Sequence, residues 1–379
     1  MTAVHLKRRA PSGARERASF EHMLSRLEGC AARLVSIEPL TADRAPGELK
    51  RMGYGIPMLI TYRARGGIHR IVFRTQSPNW FGHDRRADRA ALAVLAADTY
   101  GEQPRHVRVL DMGAIRDDEL VSLRDAGEFY LATSYVEGTL YANDLRLIEE
   151  SGRAGDLDIQ RAEALARHIA EVHCAQPASC NPAVYTRAIR DLVGSGEGIF
   201  GIVDSYPEDF YRRDLLVRIE ELALVWRWKL GREKTWRLRR THGDFHPYNV
   251  LFRSNVDFTV LDASRGGAGE PADDLAAMSI NYLFTGMRVP ASWPEGVGRV
   301  WKAFFSAYLD ATGDEGSFEQ IPPFLAWRAL VLASPAWYPD VPEAVRVSLL
   351  EAAVHWLESN RFRPESIESD VPSLIALRR

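Results

Sequence analysis

The chain has 379 residues, a net charge of −3 and three cysteines, Cys30, Cys174 and Cys180. That length supports two cored regions, and the near-neutral balance excludes bulk attraction to nucleic acid. Three scattered cysteines make neither a disulfide framework nor a thiolate metal site and read as reduced thiols in a cytoplasm, and no apolar run nears the ~20 residues that cross a bilayer.

Residues 1–18 carry Lys7, Arg8, Arg9, Arg15 and Arg17 without an apolar core, so they read as a solvated basic tail and not a secretory signal. An amphipathic helix is expected over 19–27 and a strand over 34–39. Met52-Gly53-Tyr54-Gly55 then leads into a strand at 58–62, a tight turn at Gly66-Gly67 and a returning strand over 68–75. Along that return Arg70, Val72 and Arg74 share one face, and Ile71 and Phe73 the other. A helix follows over 84–100, with 90–97 as its buried face. Residues 128–138 read as a strand ending at Gly138. The second half turns helical, over 159–174, 215–230, 275–285, 297–311, 322–333 and 341–358, and holds most of the tryptophans, which read as core. Gly194-Ser195-Gly196-Glu197-Gly198 reads as a loop between helices that borders a pocket.

The chemistry is concentrated in His242-Gly243-Asp244-Phe245-His246-Pro247-Tyr248-Asn249, followed by Asp262. This is the H-x-D-x-x-x-x-N spacing of a phosphoryl-transfer loop, with a metal-binding Asp on the next segment. Such a reaction asks the protein to position an acceptor and neutralise phosphate charge. Asp244 is placed to take or orient the proton of a hydroxyl, and Asn249 and Asp262 offer the hard oxygens that Mg²⁺ favours. The apolar runs 250–252 and 258–261 predict a hairpin that brings Asn249 and Asp262 to one end. An ordinary turn with a strand-end Asp is the plainer reading of each residue taken singly.

His-Gly-Asp-x-His-Pro-x-Asn-Val-Leu, then Leu261-Asp262 and Gly269-Glu270-Pro271-Ala272-Asp273-Asp274-Leu275-Ala276, resembles the aminoglycoside phosphotransferase and choline kinase family. The resemblance is densest over 241–276 and thinner over 51–284. It implies an α+β protein-kinase-like fold, with an N-terminal sheet lobe over 19–136 and a helical C-terminal lobe over 137–379. It implies ATP or GTP as phosphoryl donor, Mg²⁺, and a small hydroxyl compound as acceptor. By that resemblance Asp244 is the catalytic base, Asn249 and Asp262 hold the metal, and His242 and Asp274 support the loop. Gly53 and Gly55 fall where a phosphate-covering glycine loop is expected, although a hairpin turn reads equally well. Ser134, Tyr135 and Val136 fall at the hinge that would bind adenine through the backbone.

Two departures stand out. The third strand carries no lysine, so Arg74 is the phosphate-contact candidate, with Asp88 as its acidic partner; unrelated surface residues are the alternative. Ala263 replaces the usual aromatic after the metal-binding Asp, and Arg265 offers a second cation or simply an exposed side chain. A nucleotide-binding module without turnover therefore stays beside the enzyme as a second reading. Neither the acceptor's identity nor an oligomeric state follows from the sequence.

Overall fold

A computed structural model describes residues 14–40, 55, 57–177, 179–263, 265, 267–359 and 362–375. The chain divides into two compact units, Met1–Thr133 and Ser134–Arg379. The first holds an antiparallel three-stranded sheet and the second is helix-rich.

In the first unit, α1 (Ala14–Glu28) precedes β1 (Arg33–Pro39), β2 (Met58–Ala64) and β3 (Gly67–Phe73), in spatial order β1-β2-β3. Helix α1 takes up part of the stretch read as a tail: 14–18 are helical, and 1–13 lie outside the described residues. Its Phe20, Met23 and Leu24 bury against Leu34, Ile37, Ile60 and Tyr62, which is what fixes one face of the sheet. The β2–β3 turn places Arg65 (φ 51°) and Gly66 (φ 74°) both in the left-handed region. Two such residues give a turn whose twist matches the strands it joins. The same device, with Asp117 (φ 48°) and Asp118 (φ 67°), joins β4 (Gly113–Arg116) to β5 (Glu119–Ser122).

Two expectations fail here. Helix α2 (Arg86–Thr99) forms, but none of its described side chains is buried, and Leu95 is 56% exposed. An apolar helical stripe signals that a face can be buried without supplying the surface that buries it. The strand expected at 128–138 does not form: among the described residues only the two-residue β6 (Thr139–Leu140) follows, and Tyr130 and Leu131 are exposed. β-propensity needs a partner ladder, and here none of the neighbouring strands pairs with this run.

In the second unit β6 pairs with β7 (Val250–Phe252), and β7 with β8 (Phe258–Val260). The rest of the unit is helical, with α3 (Tyr141–Ser151) packed on the small sheet and followed by α4 (Asp156–Cys174), α5 (Pro182–Gly194), α6 (Ile199–Asp204), α7 (Arg213–Glu233), α8 (Pro271–Arg288), α9 (Gly298–Thr312), α10 (Gly316–Gln320), α11 (Pro322–Ala333), α12 (Glu343–Glu358) and α13 (Ile367–Asp370). Helices α8 and α11 are buried nearly all round, so they form the centre of this unit. Trp301, Trp327 and Trp356 are core residues as expected, whereas Trp228 and Trp337 are exposed. The three cysteines are free and exposed. No helix among the described residues is long and apolar enough to cross a membrane.

The start of α8 is held by a buried ion network. Arg237 Nη2 lies 2.7 Å from Glu270 Oε1 and 2.9 Å from Asp314 Oδ2, and the Tyr185 hydroxyl donates to Glu270 Oε2 at 2.7 Å. Glu270 is 1% exposed, so its charge depends on Arg237. Replacing Arg237 with Met leaves a buried carboxylate unpaired, and we expect chemical denaturation to report a loss of about 3–5 kcal/mol. A loss below about 1 kcal/mol would show that water or local rearrangement replaces the guanidinium.

Candidate active site

The loop 242–249 is positioned by backbone requirements first. Gly243 has φ 86°, a left-handed conformation that glycine adopts without steric cost. The bend turns the N–H groups of His242 and Gly243 towards Asp274, in the first turn of α8. Asp274 Oδ2 accepts from His242 N and Oδ1 from Gly243 N, both at 2.8 Å. The His173 Nε2 lies 3.1 Å from Asp274 Oδ2, and its Nδ1 lies 2.9 Å from the Tyr308 hydroxyl. Asp274 is fully buried, so these donors are what make its charge tolerable. Thus α4, α8 and α9 all bear on the loop. His242 Nδ1 accepts from the Asp244 N–H at 3.3 Å, while its buried Nε2 has no protein partner among the described residues. Phe245, fully buried, pins the loop to the core.

The hairpin then aligns the oxygen donors. Val250 pairs with Val260, and the Leu261 N–H donates to the Asn249 carbonyl at 2.8 Å. Asn249 and Asp262 therefore leave the hairpin at the same end. The Asn249 amide donates to the Asp244 carbonyl at 3.0 Å, which turns its Oδ1 the other way. Asp262 adopts φ 50°, and its exposed carboxylate has no hydrogen bond or ion pair among the described residues. Aspartate tolerates this left-handed conformation better than most residues, and here it leaves the carboxylate free among the described residues.

Asp244 is surrounded by cations. Arg328 Nη1, from α11, donates to Asp244 Oδ1 at 2.7 Å, and Arg265 Nε lies 3.9 Å from the same oxygen. His246 Nδ1 accepts from the Tyr248 N–H at 3.2 Å, which leaves Nε2 to carry the proton, 3.6 Å from Asp244 Oδ2. Burial alone would raise the Asp244 carboxyl, but the contacts of His246 and Arg328 outweigh it and hold it well below the usual range. Both guanidiniums stack on Trp327, Arg265 at 4.4 Å and Arg328 at 4.1 Å from the ring centroid. Trp327 in turn donates to the Glu197 carbonyl at 2.7 Å, and Arg265 pairs with Glu197 at 3.5 Å. The glycine-rich loop at 194–198 thus borders this site.

Arg328 also reaches Asp273 Oδ1 at 3.2 Å. Burial raises Asp273 to about 6, Arg328 opposes that, and the adjacent Asp274 adds to it. A carboxyl raised in the folded state binds its proton more tightly there than in the unfolded chain. Stability is therefore greatest below about pH 4 for this group and falls as pH rises towards 6. We expect Asp273→Asn to remove this fall, giving a thermal midpoint above wild type at pH 8 and close to it at pH 4. A variant less stable than wild type at pH 8 would show that pairing with Arg328 outweighs burial.

The other residues singled out from the sequence belong to the first unit or to the start of the second. Gly53 lies outside the described residues. Gly55 has φ 145°, and a Cβ there would sit 2.1 Å from the Thr75 carbonyl, so glycine serves a close approach within the first unit's own backbone. Arg74 follows the last residue of β3 and is exposed. Asp88 Oδ2 accepts from the Arg85 N–H at 2.8 Å, which caps the start of α2, and no ion pair between Asp88 and Arg74 occurs among the described residues. Ser134, Tyr135 and Val136 open the second unit in no regular strand, with Tyr135 87% exposed. Sequence reasoning missed Arg328.

A family model described as the phosphotransferase enzyme family matches residues 59–313, more than half of the chain. The chain belongs to that family, and its small antiparallel sheet and helix-rich larger part are the protein-kinase-like arrangement expected for it. Among solved structures it is similar to the aminoglycoside phosphotransferase APH(3'')-Id from Streptomyces rimosus, at 18% identity over 45% of this chain, with a TM-score of 0.31. The chain spans 62% of the length of that enzyme. It is also similar to a choline/ethanolamine kinase family protein from Mesorhizobium loti, at 13% identity over 88% of this chain and 94% of the other, TM-score 0.33. A glucosamine kinase in complex with glucosamine, ADP and inorganic phosphate matches at 16% identity over 93% and 85%, TM-score 0.38. No curated protein matches the chain in sequence.

Proposed function

We propose that the protein is a kinase that transfers the γ-phosphoryl group of ATP or GTP to a hydroxyl of a small molecule, with Mg²⁺. The observation that carries this reading is the convergence of Asp244, Asn249 and Asp262 at one end of the β7–β8 hairpin. Asp244 orients the acceptor hydroxyl. Held far below the usual carboxylate range, it stays ionised and receives the proton only as the new P–O bond forms. Asp274 holds the loop backbone so that this carboxylate does not drift.

The donor set suits Mg²⁺. Asn249 Oδ1 and the Asp262 carboxylate are hard oxygens, and no group of three His, Cys, Asp or Glu that could hold a metal occurs among the described residues. Magnesium ordinarily takes one or two carboxylates and completes its shell with phosphate oxygens and water. When bound, the ion neutralises charge on the donor phosphates. The test is transfer of labelled γ-phosphate into a fractionated small-molecule extract, compared with Asp244→Asn. A labelled metabolite made only by wild type supports the reading and identifies the acceptor by mass. Labelling of peptides but of no metabolite would overturn it. The second reading, nucleotide holding without turnover, draws on the absence of lysine from β3. It predicts Mg-dependent nucleotide binding and no labelled product.

A further inference from the structure

We propose that Arg328 is a positioning residue for the phosphoryl-transfer reaction: it selects which oxygen of Asp244 faces the acceptor and locks the loop to α8 and α11. The inference rests on the kinase reading above. Arg328 lies 84 residues beyond Asp244 and outside residues 59–313, the stretch that the family model matches.

Both Nη atoms of its guanidinium are engaged with the loop and the start of α8, while its buried Nε has no partner among the described residues. Nη1 donates to Asp244 Oδ1 at 2.7 Å, and Nη2 serves both Asp273 Oδ1 at 3.2 Å and the Gly243 carbonyl at 3.5 Å. The plane rests on the Trp327 ring, and the side chain is 11% exposed. Both Nη atoms bond to the protein's own oxygens, so Arg328 acts on the protein's own carboxylates. Oδ1 of Asp244 is occupied by the guanidinium. Oδ2, near His246 Nε2 at 3.6 Å, is the oxygen left for the acceptor hydroxyl. Asp273 gives the guanidinium a second carboxylate, so its charge stays balanced when Asp244 gains a proton. Only a planar fork can join two carboxylates and a carbonyl in this way; an ammonium cannot reproduce the geometry.

A misplaced reacting group costs about 100-fold in rate even when binding is intact. For Arg328→Met we therefore expect kcat to fall by about 100-fold, with the nucleotide KM within about twofold of wild type. Arg328→Lys should recover only part of the loss. In Arg328→Ala, millimolar guanidinium chloride should restore activity while leaving wild type unaffected. Near-UV circular dichroism checks that each variant is folded; should Arg328→Met not fold, Arg328→Lys decides. Wild-type turnover in a folded Arg328→Met or Arg328→Lys protein would overturn the inference, as would a raised nucleotide KM with kcat unchanged. Absence of transfer by wild type would sink the kinase reading and this inference together, which separates the two failures.

Discussion

We expect Asp244→Asn to lower kcat for phosphoryl transfer by roughly 10²–10⁴-fold, the range that a positioned acid–base group contributes. Folding survives. Asparagine keeps an oxygen that can accept from Arg328 Nη1, now 2.7 Å from Asp244 Oδ1, and Asp273 still balances the guanidinium. The loop is held through Asp274 and the His242 and Gly243 N–H groups, none of which involves the Asp244 side chain. We therefore expect a stability change of no more than about 2 kcal/mol, the scale of one altered charged hydrogen bond. Mg-nucleotide binding, measured by calorimetry, should change little. An Asn variant that keeps wild-type turnover would remove Asp244 from the chemistry and, with it, the reading of the loop.

Asp262→Gly separates activity from stability more sharply. Asp262 sits at φ 50° with no protein partner among the described residues for its carboxylate. Glycine takes that conformation without the Cβ clash, a relief of about 1 kcal/mol, while its freer unfolded chain costs a similar amount. The thermal midpoint should stay within a few degrees of wild type. Transfer, by contrast, should drop roughly a thousandfold or more, because the ion contributes several kcal/mol of charge stabilisation in such reactions. The dependence of nucleotide affinity on Mg²⁺ should flatten as well. If Asp262→Gly destabilised the protein strongly and left Mg-dependence intact, the carboxylate would be structural.

Local pattern carried much of this molecule. Strands β2, β3, β7 and β8 follow from short apolar runs bounded by turns, and α4 from a stripe in which Ala162, Leu165, Ala166, Ile169 and His173 recur on the buried face. The hairpin that aligns Asn249 with Asp262 was legible because its geometry is set within fifteen residues. Turn residues that need positive φ, such as Gly66 and Gly243, announce themselves by residue type.

Other properties depended on partners distant in the chain. Among the described residues the alternating, aromatic run at 128–138 has strand propensity but no neighbouring ladder, and the apolar stripe of α2 is at most half-buried. Asp88 caps its own helix, a local role that spacing does not distinguish from a pairing with Arg74. The ionisation of Asp244 rests on Arg328 as well as on the neighbouring His246, and the hold on its loop rests on Asp274, His173 and Tyr308; His246 aside, these come from α4, α8, α9 and α11. Spacing along the chain specifies which groups a turn can present. Burial, and the charges that only packing brings within a few ångströms, determine whether those groups are held, ionised and aimed.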